Sequence, residues 1–424
     1  VFDHIYRCKS QKRSGKILNW ASGYLQAPVH AADLDCAYAS RRMEFAIMRI
    51  RKSLWLCLCF QIMISGSTAF VSSVEAAPAA TVQGTGAKST AAVSKANVQV
   101  SGPFCNENLA IYLIRGPQKI KGTVLTLGEA LAKKQVVVQE TSNVNELTVQ
   151  NLSNAYVFLQ SGDIVKGGKQ DRTVQYDMML QPHSGKVSLP CFCVEHDRWQ
   201  QRGAESDASF GSSQDALASK DLKLAAKKYG DQSSVWDNVA KVQGKLCHKV
   251  SSTVAASPSP SSLQLTLENK KLREATQAHL NKFNSLPEGK NDVIGFAFAI
   301  NGKINSADVY ASNELFKKLW PKLLKSSAAE AIAEEDKKFD NAPSSAAVQK
   351  FLAEAESKPE LRKAGQGGQY EMTEQESSHA LMYKTKWYSA PRQMQVLDSR
   401  PSSHAGSSLP PPPCPSVHTN YIAK

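Results

Sequence analysis

The chain has 424 residues, of which 42% are hydrophobic, 8% aromatic and 21% charged; this is the composition of a soluble globular protein with flexible parts. The formal net charge of +13 invites a nucleic-acid reading until the charges are located. Ten Lys/Arg against five Asp/Glu fall before Ala77, and the later ones are scattered through Lys-rich helices beside acids such as Glu334, Glu335 and Asp336. A nucleic-acid binder gathers basic residues on one face with stacking aromatics between them; no such stripe runs through this sequence, so a solvated surface and no nucleic-acid partner are expected.

Residues 1–47 are polar and aperiodic and read as an extension upstream of the true start. Met48 opens Met-Arg-Ile-Arg-Lys, a compact positive segment, and residues 54–64 follow as an apolar run. Small residues and Val74-Glu75-Ala76-Ala77 come next, so residues 48–76 form a signal peptide cleaved after Ala76, with Met43 as the alternative start. An uncleaved anchor over the uncharged residues 53–71 competes, but Gln61 and the Ser65-Gly66-Ser67-Thr68 run weaken it. The expectation is export to the periplasm or beyond, with membrane contact only through the signal segment.

Residues 77–104, rich in Ala, Ser, Thr and Gly, have too few large apolar groups to offset ordering entropy and read as a flexible linker. A folded segment is expected from near Asn108, where Leu109-Ala-Ile-Tyr-Leu-Ile has the continuous apolar character of a buried strand. Thr126 and Glu129 have capping-box spacing at the head of a short helix. Residues 136–140, 146–150 and 155–160 follow as strands, then 173–180 and 186–195 around a Pro182-His-Ser-Gly185 turn. Residues 200–286 switch to helical spacing, broken by a Ser/Pro loop at 251–262. Residues 293–304 read as a strand entering a hairpin at Asn301-Gly302. An amphipathic helix (314–333), a polar helix (345–357) and two weak strands (369–373, 379–387) complete a domain over 105–391. The tail, 392–424, contains four consecutive prolines at 410–413 and reads as disordered with a local polyproline II segment. The predicted fold class is α+β: a mostly antiparallel, β-rich N-terminal half with packed helices, in a single main domain because the late strands need the early ones as partners.

The densest chemistry lies in two segments. Gly162-Asp-Ile-Val-Lys166-Gly-Gly168-Lys169-Gln170-Asp171-Arg172 breaks a strand with paired glycines amid alternating charge, a place where backbone can approach a ligand and cations can hold an anion. It lacks the spacing of a P-loop or a dinucleotide fingerprint, and a hairpin with solvated charges is the plain alternative. In Pro190-Cys191-Phe-Cys193-Val-Glu195-His196-Asp197-Arg198-Trp199, alternation places Cys191, Cys193 and Glu195 on one strand face. A second ligand pair at zinc spacing is missing, so no metal is assigned. Cys105, Cys191, Cys193 and Cys247 could pair as disulfides in an oxidising compartment or stay as buried thiols. A nucleophilic Cys193 would need His183, His196 or His248 beside it.

These two segments, with Ser234-Val-Trp-Asp-Asn-Val, Gly295-Phe-Ala-Phe-Ala-Ile-Asn-Gly and Leu319-Trp-Pro-Lys-Leu-Leu, resemble in order the ARG and Rhodanese-Phosphatase-superfamily-associated protein domain, a bacterial domain of unknown function, over about residues 105–390. The resemblance implies no activity and no cofactor, but it singles out Gly168, Gln170, Asp171, Arg172, Cys193, Glu195, Arg198 and Trp199 as matching positions. The leading expectation is a binding domain for a small anion, held by Lys169 and Arg172 beside Glu195 and Trp199. The alternatives are a hydrolase or transferase on a phosphate- or ribose-containing substrate, with Asp171 or Glu195 as general base and Arg172 or Arg198 stabilising charge, and a structural envelope protein. An enzyme requires the segments to share a cleft with a carboxylate of raised pKa; a structural role requires the arginines to be consumed in ion pairs.

Overall fold

The computed structural model describes residues 98–120, 122–334, 341–357, 359, 361–364, 370–387 and 416–424. The upstream extension, the signal segment, most of the linker, the last residues of the predicted domain (388–391) and residues 392–415 of the tail lie outside the described residues. In chain order the first strands are β1 Gln99–Asn106, β2 Leu109–Arg115, β3 Val124–Thr126, β4 Val136–Asn143, β5 Glu146–Asn151, β6 Tyr156–Leu159, β7 Asp163–Gly167, β8 Arg172–Val174, β9 Met178–Leu180 and β10 Gly185–Cys193. After them come β11 Phe210–Ala216, β12 Val293–Ile300, β13 Lys303–Tyr310, β14 Leu361–Ala364, β15 Tyr370–Glu376, β16 Ala380–Trp387 and β17 Ser416–Ala423. The helices are α1 Leu127–Ala132, α2 Lys220–Leu224, α3 Gln232–Lys249, α4 Leu263–Leu267, α5 Lys270–Phe283, α6 Asn313–Ala333 and α7 Ser345–Glu356, with a π-helical turn, Ala225–Tyr229, between α2 and α3.

The fold is α+β and mostly antiparallel. An eight-stranded sheet runs β1-β2-β12-β13-β17-β16-β15-β14, a six-stranded sheet runs β11-β7-β8-β10-β5-β4, and β3-β6-β9 form a small third sheet. The late strands do pair with the early ones: β12 lies beside β2, with Phe296 opposite Leu113 and Phe298 opposite Ile111. That register carries Leu109, Ile111, Leu113, Phe296 and Phe298 to one face, where they pack on Phe283 of α5 and on Leu315, Phe316, Leu319, Trp320 and Leu323 of α6. The alternate residues Ala110, Tyr112, Ala297, Ala299 and Met382 face α7 through Val348, Phe351, Leu352 and Ala355. Each large side chain so buried contributes roughly 1.5–3 kcal/mol. Gly295 lets β12 and β13 close up, because a Cβ there would lie 2.3 Å from the Asp308 carbonyl oxygen.

Local chemistry explains several boundaries. The Thr126 hydroxyl accepts from the Glu129 N–H while the Glu129 carboxylate accepts from the Thr126 N–H, which is the expected capping box of α1. Asn301 and Gly302 take positive φ values of 50° and 73°, the conformation of the anticipated hairpin.

Other expectations need correction. The first strand starts at Gln99, inside the segment read as linker; it is a polar edge strand, and an edge tolerates Pro103. Phe210–Ala216, inside the stretch read as helical, is an edge strand paired only with β7. Residues 173–180 are not one strand but β8 and β9, which belong to different sheets. The largest correction concerns the tail: Ser416–Ala423 lies between β13 and β16 inside the eight-stranded sheet, and seven of its eight residues are buried.

Candidate functional site

The two charged segments converge. After β7 the chain turns at Gly167 and Gly168, both at positive φ, and returns as β8. A side chain at Gly168 would collide with Phe210, because a Cβ placed there would lie 2.2 Å from the ring. The turn presents Asp171 beside the segment that leaves β10, where the Asp171 N–H donates to Glu195 Oε2 at 2.9 Å and the Val194 N–H donates to the Asp171 carbonyl at 3.0 Å.

Both carboxylates are fully buried and fully engaged. Arg198 grips Glu195 through Nε (2.6 Å) and Nη2 (2.7 Å), and its remaining N–H groups donate to the carbonyls of Gly167, Gly168 and Gln200. Arg202 grips Asp171 through Nη1 (2.8 Å) and Nη2 (2.9 Å) and also reaches Glu195 at 3.3 Å and Glu205 at 2.9 Å. The Ser262 hydroxyl, which caps α4, donates to Asp171 Oδ2 at 2.9 Å, and Trp236 of α3 donates to the Glu195 carbonyl at 3.2 Å. Burial opposes ionisation of Glu195, but hydrogen bonds from Arg198, Ser259 and the Asp171 N–H outweigh it and hold its pKa below the usual carboxylate value. A general base working near neutral pH needs the opposite shift. Two carboxylates and two guanidiniums neutralise one another here, and the arrangement locks β7, β8, β10 and α4 together.

Arg172 stands apart from that lock. It is wholly buried, and its Nη1 donates to the Gln170 carbonyl at 2.7 Å. Its Nη2 lies 3.6 Å from Glu140 Oε2, an ion pair without a hydrogen bond, and Nε and Nη2 have no hydrogen-bond acceptor among the described residues. Gln170 Oε1 is likewise buried and without a donor among them. The Trp199 ring, 44% exposed, lies over this guanidinium with its centroid 5.6 Å from Cζ, and Lys169 Nζ is 5.2 Å from the same centroid. Lys169 is steadied by the β4–β5 hairpin, donating from Nζ to Ser142 at 2.9 Å and from its backbone to Glu140 at 3.2 Å. Lys169, Gln170, Arg172 and Trp199 thus gather at one place, while Gly168, Asp171, Glu195 and Arg198 build the lock behind it.

Cys191 and Cys193 share the expected strand face, opposite Val174 and Arg172 in the register of β8. Both are buried, and Cys105, Cys191, Cys193 and Cys247 are all unpaired thiols. Burial pushes the Cys193 thiol up to about 11, against the lowering effect of Arg172, and its sulfur contacts the Val144 carbonyl at 3.6 Å. His183 bonds to Asn154 and His196 to Asp197, and no hydrogen bond among the described residues joins Cys193 to His183, His196 or His248. Among the described residues no group of three or more His, Cys, Asp or Glu is arranged to hold a metal ion.

A second buried charged centre has no counterpart among the sequence motifs. On the face of the large sheet that carries the aromatic core, register places Asp308 opposite Asn420 and Thr385 opposite His418. His418 is bonded to Asp177 through Nδ1 (2.8 Å) and to Asp308 through Nε2 (3.1 Å), and its ring stacks on Tyr310 at 4.5 Å. Burial disfavours the imidazolium, but the charge and hydrogen bond of Asp177, joined by Asp308, push its pKa up to about 9. Lys227, from the π-helical turn, is 3% exposed and lies 4.8 Å from the Tyr383 ring centroid; burial lowers its pKa while Asp177 and Asp308 oppose that shift. The signal that could have revealed this centre is the run Ser416–Ala423 itself, free of Gly and Pro and rich in β-branched and aromatic residues.

The model of the ARG and Rhodanese-Phosphatase-superfamily-associated Protein domain matches residues 97–390. No curated protein and no solved structure matches the chain significantly.

Proposed function

The chain belongs to the ARG and Rhodanese-Phosphatase-superfamily-associated protein domain family, and from that premise we propose that it is an exported, non-catalytic protein whose domain takes up a small anion at Arg172. The observation behind this reading is the incomplete partnering of Arg172: a buried guanidinium with two N–H-bearing nitrogens left without acceptors among the described residues, beside Lys169 and under a half-exposed aromatic ring. Leaving buried donors unpaired costs on the order of 1–3 kcal/mol each, and an oxyanion between Arg172 and Lys169 would recover that cost. Trp199 covers the site, so the ring swings aside as the anion enters. The exported location rests on the segment from Met48 to Ala76, and N-terminal sequencing of the secreted protein should then begin at Ala77.

Titration with inorganic phosphate or sulfate, followed by tryptophan fluorescence, tests the anion site. A saturable change is expected that disappears in Trp199→Phe and weakens about tenfold or more in Lys169→Ala. A flat titration, or the same change in Trp199→Phe, would end this reading. A structural envelope role is the second reading, favoured by the saturated pairing of Asp171 and Glu195 with Arg198 and Arg202. Hydrolase or transferase chemistry at Asp171 or Glu195 is disfavoured by that same pairing.

A further inference from the structure

A cleft of about 330 Å³ opens where α2, α3, the β12–β13 hairpin and the end of α6 meet, and it shares no lining residue with the Arg172 site. Its floor is unusual. Glu330, 3% exposed, accepts through Oε1 from the Lys220 N–H (2.8 Å) and the Asn305 side chain (2.9 Å), but Oε2 has no partner among the described residues. The Oδ1 atoms of Asn305 and Asn301 are also buried without a donor, although the amide nitrogens of both are bonded, Asn305 to Glu330 and Asn301 to the Glu334 carbonyl at 2.7 Å. Those bonded nitrogens fix which end of each amide is left over. Three buried oxygens at one cleft therefore lack hydrogen-bond donors among the described residues, a state native interiors avoid unless something else supplies them.

The mouth is cationic on balance: its lining also includes Asp221 and a Lys245–Glu334 ion pair, but three further lysines outnumber them. Lys241 and Lys303 are exposed and Lys220 is half-buried, and none of the three side chains forms a salt bridge with a described residue. Unpaired cations around a concave opening raise the local concentration of anions. The volume lies at the low end of the range of roughly 300–1,000 Å³ typical of ligand pockets, enough for one ring-sized molecule and too small for a dinucleotide. A ligand that fits must carry hydroxyl donors at one end and an anionic phosphate group at the other.

We infer that this cleft binds a sugar phosphate or a related phosphorylated polyol, its hydroxyls meeting Glu330, Asn305 and Asn301 and its phosphate meeting Lys220, Lys241 and Lys303. Burial pushes the Glu330 carboxyl above its ordinary pKa, so its free oxygen serves a ligand hydroxyl as donor or acceptor. The same chemistry occurs in a free sugar phosphate and in a polyol phosphate headgroup of a lipid.

Calorimetric titration of the full chain with glucose 6-phosphate, glucose, inorganic phosphate and phosphatidylglycerol vesicles separates these cases. Glucose 6-phosphate is expected to bind saturably and about tenfold or more tighter than glucose or phosphate alone. Lys241→Ala combined with Lys303→Ala, and separately Asn305→Ala, should each weaken it about tenfold or more, whereas Trp199→Phe should leave it unchanged. Binding to the vesicles alone, with the same sensitivity to these variants, assigns the headgroup as the source. The inference is overturned by the absence of binding to both, by phosphate binding as tightly as glucose 6-phosphate, or by indifference to the exposed double lysine variant, which keeps the test decisive even where Asn305→Ala fails to fold. Loss of the Trp199 fluorescence response to phosphate or sulfate would leave this result untouched, so the two sites stand or fall separately.

Discussion

At the scale of single residues, the decisive contrast is between charges that are saturated and charges that are not. Arg202 commits its whole guanidinium to Asp171, Glu195, Glu205 and Ser262 in a buried setting. Removing one member of such a network strands its counter-charges, at a cost of about 3–5 kcal/mol. Arg202→Ala should therefore destabilise the protein by that amount in urea unfolding, whereas Lys169→Ala, an exposed contact, should cost no more than about 1 kcal/mol. Equal midpoints for the two variants would refute the assignment of Asp171, Glu195, Arg198 and Arg202 as a lock. The two charged segments legible in the sequence contain three of these four residues. Arg202 is not legible there, because its side chain finds Asp171 only through the turn that follows Trp199, and hydrophobic periodicity carries no trace of such a pairing. The direction of the pKa shift on Glu195 is equally hidden, since it depends on which groups donate to the carboxylate rather than on the carboxylate itself.

At the scale of elements, legibility follows hydrophobic contrast. β2, β12 and α6 present long apolar patterns and occur where those patterns place them, as does the Asn301-Gly302 hairpin, whose backbone demands those residue types. β1 and β11 are edge strands with polar, Gly-containing sequences, and an edge has only one side to satisfy. β17 is hidden for a different reason. Its inward residues on one face are His418 and Asn420, polar groups whose partners Asp177 and Asp308 come from distant positions, so the strand is buried without being apolar. Deleting residues 392–424 should then open the sheet between β13 and β16, exposing two central edges. The truncated chain is expected to aggregate or to lose its cooperative thermal transition; a soluble product melting at the temperature of the intact chain would show that β17 is dispensable.

At the scale of the whole molecule, His418 ties together parts that are far apart in sequence: Asp177 from the loop between β8 and β9, Asp308 from β13, Tyr310 beneath its ring, and Lys227 from the π-helical turn facing the same carboxylates. Because its pKa is raised on folding, the stabilisation it provides is complete below the unfolded value of 6.5 and is lost as pH rises through about 9. A shift of that size corresponds to about 3 kcal/mol, a large share of the roughly 5–15 kcal/mol that holds a domain folded. The carboxylates behave oppositely. Burial raises the pKa values of Asp177 and Asp308, but the His418 imidazolium more than offsets it, so their stabilisation is present above the unfolded value of 3.8 and fades as pH falls below it. Stability should accordingly be highest between about pH 4 and 6.5, then decline through the neutral and mildly alkaline range. In His418→Gln the protein should be less stable at about pH 6 yet nearly flat from there to about pH 9, because a neutral amide has no proton to lose. Urea midpoints measured across that range distinguish the two slopes, and a parallel decline in both proteins would move the alkaline sensitivity away from His418. Once the imidazolium loses its proton, Asp177 and Asp308 flank a neutral His418 with Lys227, and Lys223 near Asp308, left to balance them, so the junction of β13, β17 and β16 should be the first part of the core to gain hydrogen-exchange access as pH rises.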